Sequence, residues 1–182
     1  MALRARKFQL LAAVLSCMAA PCAAGTLAPP WMRALEEIVQ LPDPLQPQAI
    51  RGIAGAPAFG PPRCVLENNP RAPVQKCWAA TGAAGPFARA VLEYARHRSG
   101  AGPALYGTLS VTLAPQQCST VAQAERVFGR RFLRRLGPEP IAGPVDPRIR
   151  HYGARLFGAG MQPLSLHVHT VSGCIASAVL AR

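Results

Sequence analysis

The chain is poor in acidic residues, in lysine and in aromatic residues. It has 182 residues, of which 8 are acidic and 20 are lysine or arginine, and aromatic residues make up 6%. Lys7 and Lys76 are the only lysines, so arginine carries nearly all of the positive charge. The only aspartates, Asp43 and Asp146, both precede proline and are predicted to lie in turns. Glu36 and Glu37 are adjacent on a predicted helix and point in different directions, and the other glutamates are scattered, which argues against a hydrolase that works with paired carboxylates.

Sequence motifs of enzymatic chemistry are missing as well. There is no G-x-S-x-G nucleophile motif, no H-E-x-x-H zinc motif and no phosphate-binding loop. We therefore expect a non-catalytic binding or inhibitor module that uses no cofactor.

Residues 1–24 have the pattern of a secretory signal peptide. Three basic residues precede an apolar segment at 8–20, which is shorter than the ~20 residues that span a bilayer. Small residues then lead to a predicted cleavage site after Ala24. Removal of residues 1–24 lowers the formal charge from +12 to +9, because three basic and no acidic residues are lost. Residues 25–182 are predicted to form a single exported domain, periplasmic or secreted.

Two alternative interpretations of the same segment predict a membrane attachment. Val14-Leu15-Ser16-Cys17 is similar to a lipoprotein signal, after which Cys17 would carry lipid and the protein would be an outer-membrane lipoprotein. The segment could instead remain as an uncleaved anchor. Later apolar runs are each interrupted by proline, glycine or arginine, so we expect no other membrane span.

The positive charge of the exported domain predicts a negatively charged partner. That partner is an envelope protein or an anionic envelope component, and peripheral contact with the membrane is one form that such binding would take. Export argues against nucleic acid. A GC-rich coding bias is the alternative explanation for the many arginines.

Four cysteines remain after the signal peptide: Cys64, Cys77, Cys118 and Cys174. An even number in an exported chain predicts disulfides, and no pair has the close spacing of a zinc site. Two predicted strands form a hairpin that places Cys64 opposite Cys77. We therefore predict the pairs Cys64–Cys77 and Cys118–Cys174.

Hydrophobic periodicity predicts an α+β fold in which short helices pack on antiparallel sheet. The longest helix is predicted at Val121–Leu136, where Thr120 and Gln123 have the spacing of a capping box. Gly129 would weaken the middle of that helix by about 1 kcal/mol relative to alanine, which allows a break there. Two shorter helices are predicted at 31–39 and 47–53, and seven strands at 64–67, 74–78, 90–97, 105–113, 149–157, 164–170 and 174–180.

An arginine-rich face of the long helix is the first candidate binding site. Arg126, Arg130 and Arg134 follow one another at i, i+4 and i+8, with Arg131 beside them. Like charges at this spacing repel each other, so a face without interleaved glutamate favours an acidic partner. The alternative is an ordinary solvated helix surface. Tyr152, on a predicted strand, is a further binding candidate on the concave side of the sheet.

Two histidines form the second candidate site. His167 and His169 alternate along a predicted strand, so both side chains would lie on one face. With His151 or His97 as a third ligand they could bind a metal, which predicts, as the alternative function, a small metal-binding protein or a metal-assisted hydrolase. The simpler interpretation is that they form the solvated face of an amphipathic strand.

The two halves of the exported domain share a pattern that predicts a duplication, with repeats at 45–117 and 118–182. Tyr94 and Tyr152 occupy similar positions in it, as do the strands at 109–113 and 164–168. The capped helix at Thr120, the Tyr152 strand and the two strands that follow resemble the SmpA/BamE-like module. Two such modules in tandem resemble the β-lactamase-inhibitor-protein architecture. The resemblance implies a non-catalytic envelope protein whose helix-backed, concave sheet binds another protein.

Overall fold

The computed structural model describes residues 28–67, 73–99, 102–116, 118–135, 146–159 and 162–182. The predicted signal peptide at residues 1–24 lies outside the described residues. The helices are α1 Pro30–Val39, α2 Pro47–Ile50 and α3 Val121–Phe128. The strands are β1 Arg63–Glu67, β2 Val74–Thr81, β3 Phe87–His97, β4 Tyr106–Leu113, β5 Leu133–Arg135, β6 Ile149–Phe157, β7 Pro163–Val171 and β8 Cys174–Ala181.

All eight strands form one antiparallel sheet. Its order is β1-β2-β3-β4-β8-β7-β6-β5, so the first four and the last four strands each form a meander. The meanders meet where β4 pairs with β8, from Thr108 opposite Ala181 to Thr112 opposite Ser177. The predicted α+β class is therefore wrong. With three helices of only 10, 4 and 8 residues beside an eight-stranded sheet, the fold is β-rich.

The main cause of that error is the end of α3. Its capping box is confirmed, because Thr120 N donates to Gln123 Oε1 at 2.8 Å and Gln123 N donates to Thr120 Oγ1 at 3.3 Å. The helix stops at Gly129, whose φ of 57° is left-handed and suits glycine. It does not continue to Leu136, because residues 133–135 form β5 instead.

The buried phenylalanines explain why periodicity extended the helix too far. Phe132 is buried although it lies beyond α3, and its ring lies 6.2 Å from that of Phe128. Its backbone N–H donates to Glu125 Oε1 at 2.9 Å, which fixes the chain where it leaves the helix. Phe128 and Phe132, four positions apart, therefore lie close together although the helix ends at the first of them.

The hydrophobic core lies between the helices and one face of the sheet. Helix α1 begins with Pro30, at a position where the missing N–H is not needed. Its predicted apolar face is confirmed, since Trp31, Leu35 and Ile38 are buried. Trp31 Nε1 also donates to Ser119 Oγ at 3.1 Å, which joins α1 to the segment before α3. The largest fully buried strand residues of this core are Leu92, Leu109, Leu166, Ile175, Leu180 and Val111.

Both predicted disulfides are confirmed. Cys64–Cys77 closes the β1–β2 hairpin with a Cα–Cα distance of 4.1 Å, and those residues face each other in the strand register. Cys118–Cys174 joins the segment before α3 to the start of β8, with Cα atoms 4.9 Å apart. Two such bonds indicate an oxidising, exported location. Among the described residues, no helix is long and apolar enough to cross a membrane.

A buried ion pair connects three loops. Arg182 Nη1 donates to Asp43 Oδ1 at 3.2 Å and to the Ala104 carbonyl oxygen at 3.0 Å. Asp43 Oδ2 accepts from Ala104 N at 2.8 Å, and Arg182 Nε donates to Gln162 Oε1. The segments between α1 and α2, β3 and β4, and β6 and β7 are therefore fastened together. Asp43 was expected in a turn, but nothing in the sequence pointed to Arg182 as its partner.

The predicted duplication stays a prediction. Each proposed repeat contributes four consecutive strands, but the strands that the sequence pattern matched do not occupy matching places. Tyr94 lies on β3, one strand from the central β4–β8 pair, whereas Tyr152 lies on β6, two strands from it.

Candidate functional site

The face of the sheet opposite the helices is the candidate functional site. Strand residues alternate between the core and this side, which we call the open face. The open face carries small polar residues together with large apolar side chains. Trp78 is 39% exposed, Tyr106 is 48% exposed and Leu133 is 64% exposed. Trp78 and Tyr106 are two strands apart, whereas Leu133 lies on the edge strand β5, four strands beyond Tyr106. The part of this face around Trp78 and Tyr106 is therefore a surface that another molecule can cover.

On the β1–β4 half, the open face contains a hollow above Ala95. Lys76 and Tyr106 lie opposite Ala95 on the two neighbouring strands. Ala95 is only 1% exposed, because its taller neighbours stand around its methyl group. The hollow has a volume of about 440 Å³. The side chains that border it are Val65, Lys76, Trp78, Glu93, Ala95, Tyr106 and Thr108.

Gly107 allows β3 and β4 to approach closely at the floor of the hollow. A Cβ atom there would collide with the Glu93 carbonyl oxygen and lie 2.8 Å from Tyr94 Cα. Any side chain at this position would push the two strands apart. Glycine therefore keeps the adjacent Tyr106 in place across from Ala95.

Two charged groups stand at the rim of the hollow. Lys76 Nζ lies 2.9 Å from Glu67 Oε2 on β1, in a solvent-exposed ion pair. The hydrogen bond that Lys76 donates to Glu67, and then the charge of Glu67, raise the pKa of Lys76 above its usual value. Glu93, between Trp78 and Thr108 in the register, takes part in no salt bridge with a described residue.

On the β5–β8 half, the open face carries the histidines. His167 and His169 share this face, and His151 lies directly opposite His169. The rings of His151 and His169 are 4.3 Å apart and meet edge to face. Burial lowers the pKa of His169, and the neighbouring His151 and His167 lower it further. His97 lies on β3, separated from these histidines by β4 and β8.

Among the described residues, these histidines are not part of a recognisable metal site. Within the part of the chain that the structure describes, no group of three or more histidine, cysteine, aspartate or glutamate side chains has an arrangement that could hold a metal ion. The alternation of His167 and His169 with the buried Leu166 and Val168 is that of an amphipathic strand.

The predicted arginine face does not exist as a single helix surface. Only Arg126 lies on α3, whereas Arg130 and Arg131 follow the helix and Arg134 lies on β5. The prediction was wrong because Gly129 ends the helix before the second arginine. We call residues 126–134 the basic corner. None of its four arginines forms a salt bridge with a described residue.

Tyr152 lies on the opposite face from the one predicted. It pairs with the buried Val168 and packs against the core, whereas His167 and His169 point to the open face. Because residues alternate along a strand, Tyr152 cannot share a face with them. Its neighbour on β5 is Arg134, at the edge of the sheet.

The hollow was not predicted from the sequence. Trp78 lay on a predicted strand, and the aromatic Tyr106 lay within another, but only the register between β3 and β4 brings Tyr106 across from Ala95. The available signal was that one of the two tryptophans, Trp78, lies on a predicted strand. Comparison with family models, curated proteins and solved structures finds no match to this chain.

Proposed function

We propose that this protein is an exported binding module that docks a folded, acidic protein on the open face of its sheet. The observation that carries the proposal is the open face itself, with Trp78, Tyr106 and Leu133 exposed on the side of the sheet away from the helices. Tryptophan and tyrosine are enriched at the energetic centres of protein interfaces.

The charge distribution supports an acidic partner. Three of the acidic residues already face a basic side chain, since Asp43 pairs with Arg182, Asp146 with Arg148 and Glu67 with Lys76. The arginines of the basic corner have no such compensation among the described residues. A second copy of this chain would bring the same positive charge to the interface, whereas an acidic protein would be attracted and guided to it.

The size of the sheet fits a protein better than a small ligand. The open face spans eight strands, and neighbouring strands lie about 4.8 Å apart, so its width is of the order of 30 Å. A protein interface of standard size covers about 800 Å² on each partner. A surface of this width accommodates such an area.

Binding with matched variants tests the proposal. The immobilised, oxidised protein captures ligands from an envelope extract, and each purified ligand is then titrated by calorimetry. We expect an acidic protein whose affinity falls at least tenfold with Trp78→Ala/Tyr106→Ala. The control is Leu66→Ala, because Leu66 is similarly exposed but lies on the other face of β1. Binding of the parent to anionic lipid vesicles alone, or an equal loss in the control, would contradict the proposal.

A further inference from the structure

The hollow above Ala95 has the construction of an anchor pocket. Ala95 lies at its base, 1% exposed beneath its neighbours, and its lining includes Trp78 and Tyr106. Its rim is polar, with the Lys76–Glu67 ion pair on one side and Glu93 and Thr108 along the neighbouring row. An apolar centre surrounded by a polar rim is the arrangement found where single side chains contribute most to binding.

The walls select an aromatic ligand. Aromatic rings attract one another in offset or edge-to-face contacts, beyond what burial of their area contributes. A third ring placed over Ala95 would have Trp78 and Tyr106 within reach on either side, because both border the hollow. The strand register fixes their spacing, and Gly107 keeps β4 close to β3 at this level.

The rim selects an aromatic side chain that also donates a hydrogen bond. Glu93 is an acceptor at the edge of the hollow and forms no salt bridge with a described residue. The Lys76 ammonium is already held by Glu67 at 2.9 Å. A phenol O–H or an indole N–H can reach a carboxylate while its ring stays among apolar groups.

We propose that the hollow above Ala95 binds one tyrosine or tryptophan side chain of the docked partner. The inference rests on the proposed docking function for the origin of that side chain. The pocket itself is formed by residues of this chain alone, so it can be tested without any partner.

The first test uses N-acetyltyrosinamide as the probe and follows the protein by NMR. We expect weak, saturable binding that shifts the amide signals of Ala95, Tyr106 and Thr108 together with the Trp78 indole N–H. The Trp31 indole N–H is an internal control, because it is buried and donates to Ser119. Shifts that spread over the surface without saturation, or that centre on another region, would overturn the proposal.

Filling the hollow provides the matched variants. Ala95→Leu enlarges the side chain at the base of the hollow, where Ala95 is 1% exposed beneath its neighbours, and Ala95→Val is a smaller step for use if the leucine variant folds poorly. Ala80→Leu is the control, because Ala80 is exposed on β2 opposite Val91 and does not border the hollow. We expect Ala95→Leu to weaken probe binding at least tenfold, Ala95→Val to weaken it less, and Ala80→Leu to change it less than twofold. Equal effects of Ala95→Leu and Ala80→Leu would overturn the assignment.

A chemical comparison tests the role of Glu93. N-acetyltyrosinamide should bind severalfold more tightly than N-acetylphenylalaninamide, and Glu93→Ala should remove that preference while leaving the phenylalanine probe unaffected. A preference that survives in Glu93→Ala would show that the acceptor lies elsewhere and would overturn this assignment. The probe result stands even if no acidic partner is found, so failure of the docking function and failure of the pocket are distinguishable.

Discussion

The two halves of the sheet have the same layout but different open faces. Strands β1–β4 and β5–β8 each form a four-stranded meander, and each half contains cysteines that a disulfide fastens. The first half presents a hollow between Trp78 and Tyr106, with balanced charges at its rim. The open face of the second half presents three histidines, and the basic corner adjoins its β5 edge, where Arg134 pairs with Tyr152 on the core side of the sheet. An apolar anchor on the open face of one half is therefore separated from a positive field at the edge of the other half.

This separation matters for binding because the two kinds of surface act at different stages. Positive charge acts over roughly a Debye length, about 10 Å at moderate salt, and speeds the approach of an acidic partner. An aromatic hollow acts only on contact and slows dissociation. The β1–β4 half should therefore set the dissociation rate, and the β5–β8 half should set the association rate and its salt dependence.

The largest effect on stability is expected when a disulfide is removed, and its size should differ between the two halves. Cys118–Cys174 closes a loop with a sequence separation of 56 residues, and Cys64–Cys77 one with a separation of 13. Loop-closure entropy gives roughly 4 kcal/mol for the first and roughly 3 kcal/mol for the second. The double serine variant at Cys118 and Cys174 should therefore lose more stability in urea unfolding than the variant at Cys64 and Cys77. A reversed order would mean that the short hairpin bond matters more to the fold.

The second prediction concerns the ion pair that fastens the halves together. Asp43 precedes the first meander and Arg182 follows the last strand, and both side chains are about nine-tenths buried. Asp43→Ala should cost about 3 kcal/mol, because it leaves a buried guanidinium without its carboxylate. The control is Asp146→Ala, which breaks the exposed pair with Arg148 and should cost clearly less. The measurement is the free energy of unfolding of both variants in the same denaturant.

Local signals in the sequence predicted much of this structure. The capping box at Thr120 and Gln123, the apolar face of α1 and the cysteine hairpin were confirmed, because each depends on neighbours within a few residues. The alternation of His167 and His169 was confirmed for the same reason. The alternation of side chains along β6 also places Tyr152 on the core side, but this requires knowing that Tyr152 pairs with Val168.

The remaining features depend on contacts between distant segments. The β4–β8 pairing, which turns two meanders into one sheet, joins residues about 70 positions apart. The buried pair of Asp43 and Arg182 joins residues 139 positions apart. The arginine face was assigned wrongly because the apolar pattern of the helix continues beyond Gly129. Phe132 has the spacing of one more helical turn, but it is buried outside the helix. To predict the hollow above Ala95, the register of all four strands β1–β4 would have to be known.

The third prediction uses pH to examine the second half alone. The pKa of His169 is lowered by burial and by its histidine neighbours, below the ordinary value of 6.5. Between that value and the lower pKa of the folded state, the unfolded chain binds a proton that the folded chain does not, so stability should fall as the pH falls below about 6.5. His169→Gln should reduce this loss. His97→Gln removes an exposed histidine on β3, away from this cluster, and is the matched control. Unfolding in denaturant at pH 7.5 and pH 5.5 gives the comparison, and identical pH dependence of the two variants would contradict it.

The smallest expected effect on folding concerns the basic corner. Arg130 and Arg134 are exposed, so Arg130→Gln/Arg134→Gln should change stability by no more than about 0.5 kcal/mol. If the corner attracts the partner, the same variant should lower the association rate severalfold at low salt and flatten its salt dependence, while the dissociation rate stays nearly constant. Arg51→Gln/Arg98→Gln removes equal charge from exposed positions near the first half and serves as the control. Stopped-flow or biosensor kinetics at several salt concentrations separates the two rates. Equal losses of association rate in both variants would mean that net charge alone guides the partner, and that the β5–β8 half has no special part in its approach.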